Sequence, residues 1–383
     1  MTAPLSQNGS ARGGAPPAWL ALLTGTLALL LCVALGRFTP REALLSYLFA
    51  FLFFTGLSVG SIAIAMVHAM TGGSWGYLIR PYLAAAARVL PLQAALSLPL
   101  LIGVRIIYPW AAPAAAVDDA ALQAQSWYLN PTFFTLRTVA YFAVWLLFSS
   151  RLQRGFDKPE RLSHIAASGL IAYTLTSSLA AIDWVMSLTP QWHSTVFGMM
   201  IATGWMLSAT ALAVLCTSAT GRSRDAPPPT ILHDLGNLLL VMILSWSYLA
   251  FMQYLTVWIA DIPGETSWYI PRTLTSWRVL AWFLIAIHFA IPFAVLLSRR
   301  AKRHRGWLSA VAALLLIAHL VDALWLVVPN LHPGGMALSW TDLLAPIGIG
   351  SLWLFVFLRQ LHVSTPHVYP MRPAVPQIRS VGA

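Results

Sequence analysis

Few ionisable residues interrupt the long apolar stretches of this chain, and those that do form patterns that acid–base chemistry can use. His319 and Asp322 stand at i, i+3, which on a helix puts both on one face, where the carboxylate can orient or charge the imidazole. Arg137 and Asp183 are separated by 46 residues and Arg278 and Asp322 by 44. If each arginine enters on a helix running inward and each aspartate leaves on the next one running outward, each pair shares one depth. A lone charge costs about 2.5–3.5 kcal/mol at mid-helix on insertion scales, less near an interface, so pairing or an aqueous pocket is expected. His288 and Tyr248 fall at a depth similar to that of His319 and extend the same polar track. A quinol losing two electrons and two protons needs a proton acceptor at each hydroxyl and an apolar slot for its ring. Asp183 and His193 offer the acceptors, and Trp184, Met186 and Trp192 the slot. His233 and Asp234 mark a cytoplasmic entrance for protons. Each has a plainer reading: pairs that fix helix registry, a satisfied neutral histidine, tryptophans of an interfacial belt, and an aspartate that complements a helix dipole.

The elements that must hold these groups follow from composition. Hydrophobic residues make up 58% of the 383 and charged ones 9%, an apolar surplus too large for a water-soluble core. Windows of about 20 residues against a hydrocarbon core of about 30 Å give ten spans: 17–36, 43–68, 82–107, 131–150, 162–187, 194–217, 233–260, 276–298, 307–328 and 341–362. The expected fold is an all-α polytopic membrane protein. Residues 17–363 form one membrane domain, and 1–16 and 364–383, rich in Gly, Ala, Pro and Ser, are disordered tails.

The net charge of +11 is decided by where it lies. Basic residues crowd the tails and the even-numbered loops (Arg151, Arg154, Lys158 and Arg161; Arg222 and Arg224; Arg299, Arg300, Lys302, Arg303 and Arg305), whereas the odd-numbered loops carry Arg37, Arg41 and Arg272. The positive-inside rule then places both termini in the cytoplasm, and no nucleic acid is needed to explain the charge. The outer loops 108–130 and 261–275 carry Asp118, Asp119, Asp261 and Glu265. Cys32 and Cys216 are the only cysteines and no C-x-x-C-H sequence exists, so neither an iron–sulfur cluster nor a covalent haem is held by this chain. No metal site and no independent catalytic motif is assigned. A haem b between His288 and His319 is the one cofactor the residues leave open.

The two halves resemble each other. Arg137-Thr-Val-Ala-Tyr-Phe142 matches Arg278-Val-Leu-Ala-Trp-Phe283, each after a proline (Pro131, Pro271), and Asp183 and Asp322 are each followed seven residues later by Pro190 and Pro329. The spacing predicts two four-helix bundles, helices 2–5 over about 43–187 and helices 6–9 over about 194–328, with helices 1 and 10 peripheral.

Three ordered motifs carry a family resemblance: the run Ile182 to Gly198, His233-Asp-Leu-Gly236, and Trp246-Ser-Tyr-Leu-Ala-Phe-Met-Gln-Tyr254 continuing to Trp258-Ile-Ala-Asp-Ile-Pro-Gly-Glu-Thr-Ser-Trp-Tyr269. Over most of residues 40–360 the chain resembles the second quinone-binding-type membrane subunit of bacterial alternative complex III, a relative of the polysulfide-reductase (NrfD-like) membrane subunits. Where the family has Asn-Ile-Pro-Glu-Glu, this chain has Asp261-Ile-Pro-Gly-Glu265. The resemblance implies a ten-helix subunit of the bacterial inner membrane beside a homologous membrane subunit, an iron–sulfur subunit and cytochrome c subunits. It also implies oxidation of menaquinol or ubiquinol by the assembly, with this subunit supporting a quinone pocket or a proton pathway. A secondary transporter and a purely structural membrane anchor are the competing classes.

Overall fold

The computed structural model describes residues 18–112, 120–155, 159–220 and 227–364. The expectations for the tails 1–16 and 365–383, for Asp118 and Asp119, and for Lys158, Arg222 and Arg224 lie outside the described residues. Among the described residues there is no strand, and ten helices are long and apolar enough to cross a membrane. We label them α1 (Ala18–Gly36), α2 (Pro40–Thr71), α3 (Ser74–Ile102), α4 (Pro131–Gly155), α5 (Pro159–Trp184), α6 (Phe197–Thr220), α7 (Pro229–Ala260), α8 (Arg278–Leu297), α9 (Arg305–Val327) and α10 (Trp340–Ser364). The chain is an all-α polytopic membrane protein.

Local chemistry sets the ends. Prolines open α2, α4, α5 and α7, where the missing N–H costs nothing, and the Asn130 side chain accepts a hydrogen bond from the Phe133 amide at the start of α4. The chain leaves α2 through Gly72 and Gly73, with φ of 69° and 100°, a region that side chains other than glycine disfavour. The third span runs from Ser74 to Ile102 rather than over 82–107, because Pro81 is carried inside the helix instead of marking its start. Beyond Ala87 it breaks into short pieces beginning one residue before Pro91 and Pro99, as a residue without an amide donor dictates.

The axis of the molecule is α2, with 94% of its most apolar window buried inside the protein against 17% for α1. Gly56 and Gly60 of α2, in G-x-x-x-G spacing, receive Trp205 of α6: a Cβ on Gly60 would lie 2.0 Å from the Trp205 carbonyl oxygen. Small residues thereby let two backbones approach without side chains between them. Around this pair, α2 packs on α3, α5 and α9, and α6 packs on α5, α7 and α9. Helix α10 lies along α2 and α3, and α1 packs mainly on α10, with Gly25 and Gly348 at the contact.

Candidate functional site

Two buried polar clusters arise from the residues the sequence singles out, and they differ in how completely their hydrogen bonds are satisfied. In the first half, Arg137 on α4 grips Asp183 on α5 with two parallel bonds, Nε to Oδ2 at 2.8 Å and Nη2 to Oδ1 at 2.9 Å. Tyr141, one turn below Arg137, donates to the same carboxylate at 2.6 Å. The remaining guanidinium nitrogen, Nη1, donates to the Tyr128 carbonyl at 2.9 Å, and the group stacks 3.8 Å from the Tyr128 ring centroid. Asp183 is wholly buried and Arg137 nearly so. Such a bidentate pair is rigid and complete. Beside it, a cleft lined by Phe51, Tyr108, Phe134, Thr138 and Trp184 has a volume of about 10 Å³, room for about one water.

The second half does not repeat this arrangement. Arg278 is exposed and makes no pair with Asp322, which corrects the expected match. Arg137 is the seventh residue of its helix, about 9 Å inside, whereas the extended Thr275 breaks the approach and makes Arg278 the first residue of α8. Arg272, read from sequence only as an outer-loop charge, is the buried arginine. It donates to the carbonyls of Trp325 (3.2 Å), Leu326 (2.8 Å) and Trp268 (2.8 Å) and stacks 3.7 Å from the Trp268 ring centroid, so it caps the negative end of α9. Burial lowers its pKa to about 9, opposed by Tyr269, which still leaves it a cation at neutral pH.

Asp322 instead sits with two histidines. His288, His319 and Asp322 are all buried, and one ligand-capable atom from each lies within 4.8 Å of the others. The His319 Nδ1 to Asp322 Oδ2 distance is 3.7 Å, too long for a hydrogen bond. Both ring nitrogens of His288, Nδ1 of His319 and Oδ2 of Asp322 have no hydrogen-bond partner among the described residues, a costly condition for buried groups. His288 lies in a π-turn, Ile285–Ala290, followed by Pro292; such turns recur at functional sites. Around the cluster, Trp246 of α7 lies 3.9 Å from His288 between ring centroids, Phe53 of α2 lies 5.9 Å from His319, and a Cβ on Gly204 of α6 would come 2.7 Å from His319 Cε1. The two imidazole centroids are 5.7 Å apart.

Tyr248 does not join this track: it is 59% exposed. Trp246, two residues earlier and about 200° round the helix, faces the histidine instead. His193 is exposed in the turn between α5 and α6 and meets neither cluster, while the neighbouring Ser194 hydroxyl donates to Gln253. Trp192 stacks on Trp268 with centroids 4.7 Å apart, so it ties the two halves together at this rim. His233 and Asp234 lie at the N-terminal end of α7, 3.9 Å apart, and Asn237 links His233 to the buried Lys302, whose Nζ donates to Asn237 Oδ1 at 2.7 Å. No protein-family model and no curated protein matches the chain.

Sequence reasoning missed Tyr141, Trp246, Gly204 and Arg272. Tyr141 was legible as the residue at i+4 from Arg137 inside the repeated motif, and Trp246 opened the third motif. Gly204 carried no signal, because its role is the absence of a side chain against a histidine on another helix. A third polar knot at the start of α10, where Ser46 donates to Asp342 at 2.7 Å and the Ser339 amide to its other oxygen at 2.8 Å, acts as a helix cap.

Proposed function

We propose that this chain is an integral membrane subunit of a quinol-oxidising electron-transfer complex of the alternative complex III type, and that its working site is the His288, His319 and Asp322 cluster. The observation that carries the assignment of the site is the contrast between the halves. Asp183 has every oxygen engaged and its charge neutralised by Arg137, so it holds α4 to α5. Asp322 has neither, and a carboxylate kept unpartnered beside two imidazoles deep in a membrane protein is a functional arrangement. Imidazole and carboxylate side chains can both take up and release protons, which suits proton movement coupled to a lipophilic two-electron carrier. The three motifs support the assembly: a bacterial inner-membrane complex with both termini cytoplasmic, a homologous membrane subunit, and iron–sulfur and cytochrome c subunits that carry the electrons. Quinol is assigned to the assembly, since the cleft beside Asp183 has room for about one water.

The test is to purify the tagged full chain from its native membrane in mild detergent. Iron–sulfur and c-type haem chains in fixed stoichiometry, with quinol-dependent reduction of the haem band, are the expected result. The chain obtained alone, with no haem spectrum, refutes the assignment.

One observation favours a transporter as the second reading. The breaks of α3 at Pro91 and Pro99 and the π-turn of α8 are interruptions of the kind that line solute sites. Solute flux into liposomes holding the chain alone supports that reading, and absence of flux removes it.

A further inference from the structure

We propose that His288, His319 and Asp322 form a binding site for one divalent first-row transition-metal ion, with zinc(II) as the representative occupant. The inference rests on the reading of this cluster as the working site and names what it holds. It replaces the expectation from sequence that this chain binds no metal.

Asp183 is neutralised by Arg137 at 2.8 Å, but Asp322 has no arginine: Arg278 is exposed and Arg272 is committed to three carbonyls of the α9 cap and the outer loop. A buried carboxylate in an apolar surround requires a counter-charge or a proton. A cation seated among the three residues supplies it from inside the cluster.

Two neutral imidazoles and one carboxylate are the ligands of many three-residue sites for zinc and non-haem iron(II), which leave coordination positions for water or a small ligand. The buried atoms without partners are the atoms such an ion would use: a ring nitrogen of His288, Nδ1 of His319 and Oδ2 of Asp322.

No direct hydrogen bond joins His319 and Asp322 at 3.7 Å, and an ion seated between them would contact both. Ligand atoms on a tetrahedral ion with bonds of about 2.0–2.2 Å stand about 3.3–3.6 Å apart. The separations here, 3.7 Å for one pair and at most 4.8 Å for the rest, reach that range by side-chain movements of about an ångström. Gly204 leaves the space in which His319 sits, and the π-turn sets the register of His288. A haem has no such room: its two axial histidines stand about 4 Å apart across one iron, but the macrocycle between them would overlap the packing of Trp246 and Phe53 on the same rings.

The experiment uses the full chain with its co-purifying chains in nanodiscs, washed with chelator and titrated with cobalt(II), which substitutes for zinc and is coloured. The expected result is saturable uptake of about one ion per chain, d–d absorption of a low-coordinate nitrogen and oxygen site, and displacement by zinc. His288→Gln and Asp322→Asn are each expected to weaken uptake at least tenfold, while Tyr248→Phe leaves it unchanged; helical circular dichroism and the melting profile confirm that each variant is folded. No saturable uptake by the unaltered chain, or uptake indifferent to both ligand variants, overturns the proposal. If uptake is absent and Asp322→Asn still abolishes quinol-linked proton release, the metal falls and the proton-handling site stands. If that release is also unaffected, both readings fall.

Discussion

Replacing Asp183 with leucine is the perturbation whose cost the structure sets most fully. The change removes two charge-assisted bonds from Arg137 and one from Tyr141, leaving the guanidinium with the Tyr128 carbonyl and the Tyr128 and Phe133 rings. Bonds to charged groups contribute about 1.5–3 kcal/mol each, and stranding one partner of a buried pair costs about 3–5 kcal/mol. A loss of about 3–5 kcal/mol is therefore expected for Asp183→Leu and, by the same count, for Arg137→Met. The double variant leaves no buried charge, so most of the stability should return, with a coupling of about 3 kcal/mol or more between the positions. Tyr141→Phe, which removes one bond, should cost about 1–2 kcal/mol. Steric trapping in bicelles measures these differences directly. Additive single costs, or single costs below about 1 kcal/mol, would refute the view that this pair is a structural clasp.

In the metal-free protein Asp322→Leu should behave in the opposite way: it removes a buried carboxylate with an unsatisfied oxygen, so unfolding stability should stay level or rise by about 1 kcal/mol while quinol-linked proton release is lost. Gly60→Ala sets a Cβ 2.0 Å from the Trp205 carbonyl oxygen and should cost about 3 kcal/mol or more, read as loss of folded protein at the usual purification temperature. Arg272→Met uncaps α9 and removes three bonds; a cost of about 2–4 kcal/mol is expected in the same unfolding assay. Burial, then the Asp183 charge, raises the Tyr128 phenol from its ordinary 10 to about 12, and Tyr108 and Tyr269 shift the same way. Between pH 10 and 12 the unfolded chain releases the Tyr128 proton while the folded chain keeps it, so stability falls as pH rises through that window. The slope of melting temperature against pH should be shallower in Tyr128→Phe.

The helices were legible because span length and apolarity are fixed by the bilayer, and the Arg137–Asp183 pair because each residue lies a few positions inside a proline-opened or proline-closed helix. The mirrored pair was misread for a local reason. Arg278 and Arg137 sit in similar motifs, but depth is set by where the helix starts, and Thr275 moves that start to Arg278 itself. Arg272, hidden among loop residues, could be placed only once the segment between α7 and α8 was seen to fold back onto the end of α9. The cluster was half legible. His319 and Asp322 share a face by spacing, but which residue of α7 meets His288 depends on helix rotation, and rotation chose Trp246 over Tyr248. The clearance at Gly204 and the π-turn at His288 are products of packing that no periodicity announces.

The account's central claim is that the His288, His319 and Asp322 cluster does the work of this subunit within a quinol-oxidising assembly. Its most direct test is proton release per quinol oxidised by the reconstituted complex carrying Asp322→Asn, with assembly checked by its haem and iron–sulfur content. The account predicts a fully assembled complex with that stoichiometry lost or reduced. Assembly with unchanged turnover and unchanged proton release would contradict it.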